Sequence, residues 1–367
     1  MYPFASDLYA ARNQWYVASY SRDVGRKPRE LWILDEPVVL YRKEDGSVVA
    51  LEGRCAHRHF PLGQGEVIGD TIRCPYHGIS YGADGQSVDV PSHGKPAANC
   101  KIRSYPAVEL WEWIWIWTGD PELADAALIP DHFDMGLTDR EFVTTIVCHH
   151  QLEARYQIVH DNLLDLTHVA YLHERTIGAG NQGAATSDYP RSEGSNWLRS
   201  DRLLRRTLIP PHYGALMGAQ GECDRYMPII FMMPGLHVGM DDFRVPSDDP
   251  ERLGASLGKL LVYHAVTPAR RNSAHYFAAA ARNFGMDTDE ALMSAAFNTV
   301  IDEDVYGLES VERLLRDLND NVPAEYSARS DTQQLLMRRK LEALVRADTE
   351  GALPQMPLKF SLKTLGD

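Results

Sequence analysis

CAHRHFPLGQGEVIGDTIRCPYHG, residues 55–78, holds two pairs of cysteine and histidine, Cys55 with His57 and Cys74 with His77. Sixteen residues separate the pairs, which gives the pattern C-x-H-x16-C-x2-H. Thiolates and imidazoles are the side chains that bind zinc and iron–sulfur centres. Each pair lies beside a predicted strand in a segment with several Gly and Pro residues, so the pattern predicts two loops of a β domain that hold one metal centre.

Two kinds of metal centre fit two cysteines and two histidines. One is a structural zinc ion, although zinc fingers place both cysteines before both histidines, whereas here each loop contributes one of each. The interleaved order favours a 2Fe-2S cluster in which two thiolates hold one iron and two imidazoles hold the other. In this motif the sequence resembles the Rieske proteins. His59 has no counterpart in the second loop and is predicted to be a surface residue.

Length and composition indicate a globular protein with two domains. The chain has 367 residues, of which 44% are hydrophobic and 24% charged, and it contains no apolar run of membrane-spanning length. The first residues lack the pattern of an export or transit signal, so a cytoplasmic protein is expected. A formal net charge of -14 argues against a nucleic-acid partner. Five scattered cysteines, an odd number, do not indicate a disulfide framework.

The hydrophobic pattern changes near residue 136. Residues 15–119 show short strands and turns, which predicts an all-β domain over residues 1–135. Its last predicted strand places four indoles on one face, where packing is favoured over a redox role: Trp111, Trp113, Trp115 and Trp117. An α+β domain over residues 136–367 is predicted from helical patterns at 151–173, 288–318 and 330–347 and from strand-like runs at 205–240 and 257–280.

A second candidate metal site lies in YQIVHDNLLDLTHVAYLHERTIG, residues 156–178. Asn162, Asp165, His168 and His173 follow the pattern N-x2-D-x2-H-x4-H, which is typical of two ligands with polar neighbours that orient them. On a regular helix the two imidazoles would point about 140° apart, so we expect the helix to end or bulge here. The alternative from these residues alone is a polar amphipathic helix. The pair matches the histidines of the two-histidine, one-carboxylate iron sites of oxygenases.

The third ligand of such a site is a carboxylate, and three acidic residues compete for it in the helical segment 291–318. Asp304 falls on the apolar stripe of this helix, whereas Asp302 points to the opposite face. A carboxylate that faces the interior needs a partner, and a metal is a suitable one. We therefore predict Asp304 as the ligand, with Asp302 as the fallback. The stripe consists of Phe297, Val300, Ile301, Leu308, Val311 and Leu315.

Over almost its whole length the chain resembles the catalytic subunits of Rieske non-haem iron oxygenases, most closely those of the vanillate and dicamba O-demethylase type. The features that it shares with them are the Met-Tyr-Pro start, the segment WYVA at 15–18, the segment DNLLDLTH at 161–168, and Glu303-Asp304 within a helix. After His173 the sequence departs from these relatives, so no substrate contact is transferred to that segment.

The resemblance implies an N-terminal Rieske domain and a helix-grip catalytic domain, assembled as a head-to-tail homotrimer. It implies that Asp165, in a site that also contains Asn162, links His168 to His77 of the partner subunit and carries electrons across the interface. The cluster ligands would be Cys55, His57, Cys74 and His77, and the mononuclear iron ligands would be His168, His173 and Asp304.

The chain shows no credible site for a nicotinamide or flavin. Residues 178–183 fit the pattern G-x-G-x-x-G, but they follow a predicted helix and open none, so they lack the context of a dinucleotide site. A four-cysteine ferredoxin pattern is also lacking. We therefore expect a separate ferredoxin or flavin reductase to supply the electrons.

The resulting hypothesis is a monooxygenase component that uses dioxygen to hydroxylate, and thereby O- or N-dealkylate, a small aromatic compound. The alternatives are ring hydroxylation or dihydroxylation with the same metals, a non-catalytic Rieske electron carrier, and a structural zinc protein. We expect the substrate pocket to be lined by the strands within residues 205–240 and by the helix of Asp304.

Overall fold

The computed structural model describes residues 10–178 and 190–359 and contains four antiparallel β-sheets. Three of the sheets precede Gly119, which confirms the all-β N-terminal region: their strand orders are β1-β11-β10, β2-β3-β4-β9 and β5-β6-β7-β8. The strands are β1 (Trp15–Tyr20), β2 (Arg29–Ile33), β3 (Glu36–Arg42), β4 (Val48–Glu52), β5 (Glu66–Ile68), β6 (Thr71–Arg73), β7 (Ser80–Tyr81), β8 (Ser87–Asp89), β9 (Ser104–Tyr105), β10 (Ala107–Leu110) and β11 (Trp113–Trp117).

The tryptophan-rich strand was predicted as one strand, and that prediction is wrong. Leu110 pairs with Trp113 across a tight hairpin, so Trp111 and Glu112 form its two-residue turn. Trp111 adopts a positive φ of 56°, a conformation that bulky residues rarely take, and no Gly, Asn or Asp marked the turn. The other three indoles share one buried face of β11 as expected.

The fourth sheet has seven strands in the order β12-β18-β17-β16-β15-β14-β13. The division of the chain at residue 136 stays a prediction, and this sheet begins at Val143. The strands are β12 (Val143–Leu152), β13 (Arg191–Glu193), β14 (Trp197–Leu208), β15 (Glu222–Met232), β16 (Leu236–Arg244), β17 (Ser256–Arg270) and β18 (Ser273–Arg282).

In the described parts of the chain, four helices accompany this sheet: α1 (Tyr156–Leu164), α2 (Pro211–Met217), α3 (Glu290–Asp317) and α4 (Thr332–Thr349). The two helices predicted near the C-terminus are confirmed as α3 and α4. The strand-like run at 205–240 is instead the end of β14, α2, β15 and the start of β16. Within the described residues, no helix is both long and apolar enough to cross a membrane.

Each face of the seven-stranded sheet packs against a different layer. One face forms a core with α1, α3 and α4, through residues such as Phe297 and Leu341. The other face packs on the indoles of β11, where Trp115 and Trp117 meet Val238 and Tyr263. The tryptophans therefore join the N-terminal strands to the large sheet by apolar burial, as the packing interpretation predicted.

A buried ion pair holds α3 against the start of α1. Glu312 on α3 is fully buried, and its carboxylate accepts hydrogen bonds from Nε and Nη2 of Arg155 at 2.6 and 2.8 Å. The predicted apolar stripe is wrong at this turn, because Val311 is 51% exposed and Glu312 takes the inward position. The pair fixes the helix of Asp304 relative to the segment of His168 and His173.

Replacing Glu312 with glutamine should lower the free energy of unfolding by about 3 kcal/mol, the lower end of the range for a broken buried ion pair, because Arg155 would lose its fully buried partner and keep the partly exposed Asp320 at 2.8 Å. Chemical denaturation measures this loss. Glu342→Gln is the control, since Glu342 pairs with Arg346 at the surface of α4 at 2.8 Å and such pairs contribute at most about 1 kcal/mol. Equal losses in the two variants would contradict the anchoring role of Glu312.

Candidate metal centres and the cavity beside them

The two loops that carry the cysteines have matching backbones. In each loop the cysteine carbonyl accepts a hydrogen bond from the N–H four residues later, from His59 at 2.9 Å and from Gly78 at 3.0 Å. Both cysteine loops turn back at the residue that donates this bond, which adopts a positive φ: 56° for His59 and 77° for Gly78. His59 is thus the structural counterpart of Gly78, and it lies at the surface as predicted.

The two thiols are buried and face each other. Cys55 and Cys74 belong to one apolar cluster and are 2% and 1% exposed. Burial raises the pKa of Cys74, and so does the neighbouring thiol of Cys55, while the N–H groups of Tyr76 and His77 act in the opposite direction. Those N–H groups would stabilise a thiolate, which is the form that binds iron.

The two imidazoles lie at the surface above the thiols. The rings of His57 and His77 are exposed, with centroids 4.5 Å apart and Nδ1 atoms 3.2 Å apart. Desolvation and then the neighbouring His77 and Arg58 lower the pKa of His57, which favours the neutral ring that binds a metal. Two buried thiols below two exposed imidazoles are a donor set that fits a 2Fe-2S cluster with unequal irons.

Tyr81 was not singled out by the sequence, yet it contacts this candidate site. Its hydroxyl lies 3.1 Å from Sγ of Cys55 and accepts a hydrogen bond from the N–H of Ala56, also at 3.1 Å. The side chain is fully buried on β7, one strand after Cys74. Only the fold places it beside Cys55, because 26 residues separate the two.

The second candidate site forms where α1 ends. The helix stops at Leu164, and His168 begins a short 3-10 turn, so His168 and His173 do not share a regular helix. This break confirms the expectation that the helix ends here, since a regular helix would point the two imidazoles apart. Asp304 on α3 completes the group: one ligand atom from each of the three side chains lies within 4.8 Å of the others.

Hydrogen bonds at the outer nitrogens turn both imidazoles toward Asp304. Nδ1 of His173 donates to Oε2 of Glu303 at 2.7 Å, and Nδ1 of His168 donates to the carbonyl oxygen of Asp165. The Nε2 atoms of His168 and His173 then lie 3.4 and 3.1 Å from Oδ1 of Asp304. This arrangement matches the general rule that a ligand histidine binds the metal through one nitrogen and an oxygen through the other.

The buried carboxylate of Asp304 and the imidazole of His173 stabilise each other's charged forms. Burial alone would raise the pKa of Asp304, but hydrogen bonds from His168 and His173 outweigh it and hold that pKa below its ordinary value. Burial would lower the pKa of His173, but Asp304 and then Glu303 raise it. A divalent cation bound between the three side chains would replace the protons that now satisfy the carboxylate.

The remaining predicted site residues lie in different settings. Nδ2 of Asn162 donates to Oδ1 of Asp304 at 2.8 Å, so Asn162 orients the carboxylate. The Asp165 carboxylate accepts from N and Oγ1 of Thr167 at 2.8 and 2.6 Å, while its backbone carbonyl is what contacts His168. Asp302, the fallback ligand, points outward with its side chain 58% exposed and lies 3.6 Å from His150.

A cavity of about 140 Å³ opens beside the three side chains. A cavity of about 150 Å³ holds a benzene ring, so the volume suits a compound with one ring. As expected, β15 and the helix of Asp304 contribute to its lining, together with β16, β17 and α1. The lining includes aliphatic residues and few polar ones, among them Met227, Ile229, Val262, Phe297, Ile301, His264, Arg225 and Asp241.

Comparisons with known proteins cover nearly the whole chain. A family model of the Rieske [2Fe-2S] domain matches residues 14–106, and one of the vanillate O-demethylase oxygenase C-terminal domain matches residues 152–347. The chain is 31% identical over 354 residues to a putative toluene-4-sulfonate monooxygenase system iron-sulfur subunit of Comamonas testosteroni, covering 94% of this chain and 99% of the relative.

Two further similarities concern one activity. The chain is 32% identical to the oxygenase component of dicamba O-demethylase of Stenotrophomonas maltophilia, over 82% of this chain and 88% of that protein. A crystal structure of dicamba monooxygenase bound to 3,6-dichlorosalicylic acid superposes with a TM-score of 0.80 at 28% identity, and covers 92% of this chain and 98% of the other.

Proposed function

This chain belongs to the Rieske non-haem iron oxygenases of the vanillate O-demethylase type, and from that premise we propose that it removes an alkyl group from a small aromatic compound as the oxygenase component of a monooxygenase. The observation that carries the proposal is the group of His168, His173 and Asp304 at the wall of an apolar cavity sized for one ring. An electron carrier would have no use for such a cavity.

We propose the following roles for the residues of the two candidate centres. Cys55, His57, Cys74 and His77 hold the 2Fe-2S cluster, and His168, His173 and Asp304 hold the mononuclear iron. These groups supply, when bound, electron transfer and the activation of dioxygen. Glu303 and the carbonyl of Asp165 fix the tautomers of the two histidines, and Asn162 fixes the carboxylate. The apolar lining keeps water from the reacting bond.

The overall reaction balances with an external reductant. One oxygen atom of dioxygen enters a C–H bond next to oxygen or nitrogen, the other becomes water, and two electrons and two protons are consumed. The hemiacetal or hemiaminal that forms breaks its C–O or C–N bond and yields a phenol or an amine together with an aldehyde. The cavity contributes orientation of the C–H bond, which is the main service a protein gives to cofactor chemistry.

The test supplies the iron-loaded protein with a surrogate reductase, NADH and dioxygen, and offers methoxybenzoates, methoxybenzamides, N-alkyl anilides and unsubstituted aromatic acids. Aldehyde equal to the substrate consumed is the expected result. A diol or phenol without aldehyde would instead establish ring hydroxylation with the same metals. Reduction of the cluster with no product from any compound would favour the electron carrier.

The family membership also supports a proposal about the partners. We propose that electrons come from a separate ferredoxin or flavin reductase, and that the protein works in the cytoplasm as a homotrimer. The exposed rings of His57 and His77 support electron transfer between chains, since a cluster whose imidazoles face outward can exchange electrons with another chain. The ring of Tyr76 lies beside that of His77, with centroids 4.1 Å apart, and Tyr76 is 58% exposed, which suits a surface that a partner covers.

Tyr81→Phe should lower the reduction potential of the cluster by roughly 40–60 mV, because a hydrogen bond to a ligand sulfur stabilises the more negative, reduced form and is worth about 1 kcal/mol. Protein-film voltammetry measures the shift. Tyr41→Phe is the matched control, since Tyr41 lies in the same buried cluster and donates to the carbonyl of Asp70 at 3.1 Å. An unchanged reduction potential in Tyr81→Phe would show that the Tyr81 hydroxyl does not hydrogen-bond to a cluster ligand.

A further inference from the structure

A buried ion pair forms one polar end of the cavity. Arg225 on β15 and Asp241 on β16 both line it, and they are 1% and 8% exposed. Nε of Arg225 donates to both carboxylate oxygens of Asp241 at 3.2 Å, and its Nη2 donates to Oδ2. The sequence did not single out either residue. The hydrogen bonds of Arg225 join it to Asp241 and to the carbonyl of Ile177, not to a candidate iron ligand, so the proposed chemistry leaves the pair without a role.

The pair lies at a distance from the candidate iron site. Asp241 is opposite Leu260 in the register of β16 and β17, and His264 lies four residues further along β17. His264 and Asp304 both line the cavity, and the charge of Asp304 acts to raise the pKa of His264, which burial lowers to about 4. The candidate iron ligands and the ion pair line one cavity, so a compound that fills it would contact both.

The charge of this end of the cavity is already balanced. Among the described residues, Arg225 is the only Lys or Arg that lines the cavity, and Asp241 neutralises it. The stretch 179–189, outside the described residues, contains no Lys, Arg or His in its sequence. An anionic ring substituent would meet the Asp241 carboxylate in a buried place without a free cation to offset it, and like charges in such a place repel strongly.

The pair still has hydrogen-bonding capacity. A guanidinium carries five N–H donors, of which Nε and one of Nη2 go to Asp241, while one of Nη1 goes to the carbonyl of Ile177 at 3.3 Å. The two remaining N–H donors and the lone pairs of Asp241 can serve a group that both accepts and donates. A neutral carboxamide is such a group, and its carboxylate counterpart is not.

We propose that Asp241 determines the substrate class: by occupying Arg225 it selects a ring with a neutral, hydrogen-bonding substituent such as a carboxamide and excludes the corresponding carboxylate. This inference rests on the proposed function for the bond that reacts, and it adds the chemistry of the opposite end of the substrate. It makes Asp241 a specificity-determining residue that takes no part in the reaction itself.

The experiment measures equilibrium binding of 4-methoxybenzamide and 4-methoxybenzoate to the full-length, iron-loaded protein by calorimetry, without reductant so that nothing turns over. The wild type should bind the benzamide at least about 10-fold more tightly, a difference of about 1.4 kcal/mol. In Asp241→Asn the order should reverse, since Arg225 becomes an unpaired cation. Asp201→Asn is the control, because Asp201 pairs with Arg199 on β14 at 2.7 Å and does not line the cavity.

The double variant Arg225→Met with Asp241→Leu guards against a folding defect in the single variant. It should lose the preference for the benzamide without gaining affinity for the benzoate. Tighter binding of the benzoate by the wild type, an unchanged preference in Asp241→Asn, or binding of neither compound would overturn the inference. Selective benzamide binding without aldehyde release under turnover would leave the inference standing and overturn the proposed function, and aldehyde from benzoates alone would do the reverse.

Discussion

Asp304→Ala is expected to empty the mononuclear iron site and abolish aldehyde formation, while the 2Fe-2S cluster and the fold remain. The carboxylate is 6% exposed and is the point on which the Nε2 atoms of both candidate histidines converge, at 3.1 and 3.4 Å. Loss of a residue that merely orients a ligand weakens metal binding by about 10- to 100-fold, and loss of a ligand should exceed that. The effect is measured by comparing the total iron content per chain with the iron that the visible absorption of the cluster accounts for.

Asp302→Ala is the matched control for this experiment. Asp302 lies two residues away on the same helix, was the alternative candidate, and points outward with a hydrogen bond from Asn298 at 3.3 Å. Its replacement should leave the iron content and the activity within about twofold of the wild type, as is usual for exposed positions. Loss of iron in Asp302→Ala with retention in Asp304→Ala would exchange the two roles.

The parts of the molecule that could be predicted depend on short stretches of sequence. The cluster motif spans only residues 55–78, and the histidine pair lies within six residues, so spacing and chemistry were enough to propose both sites. Asp304 is distant in sequence, yet it could be chosen over Asp302 because the helical period places it on the inward face. The same reasoning failed two turns later, at Val311, because the sequence alone does not show that Glu312 pairs with the buried Arg155 and therefore faces inward.

The residues that could not be predicted meet through the pairing of strands. Arg225 and Asp241 lie 16 residues apart on neighbouring strands, and their contact depends on the register of β15 and β16. Tyr81 reaches Cys55 because the sheet that contains β7 packs against the loop that follows β4, 26 residues earlier in the chain. Register depends on which face is buried and on the geometry of the turns, and no boundary was predicted between β15 and β16 within the run 205–240. The cavity is a product of the same pairings.

Asp165→Asn should leave both metal centres in place and reduce coupled turnover by about 100-fold, the upper range for residues next to a ligand. The substitution keeps the backbone carbonyl that orients His168, so the iron site should persist. It removes only the charge of the carboxylate, which lies partly exposed beside His168 and is the group proposed to meet His77 of the partner subunit. The measurement is the rate at which the pre-reduced cluster is reoxidised when substrate and dioxygen are added, with iron content as the check.

Thr167→Val separates this electron-transfer role from a purely local one. N and Oγ1 of Thr167 both donate to the Asp165 carboxylate. If Asp165 served only to stabilise this turn, loss of the Thr167 hydroxyl would slow reoxidation about as much as Asp165→Asn does. We expect Thr167→Val to change the reoxidation rate less than about threefold, since one hydrogen bond of two is lost and the charge remains. Fast reoxidation in Asp165→Asn would exclude Asp165 as the link between centres, whereas slow reoxidation with full iron content would show that its charge acts on electron transfer and not on metal binding.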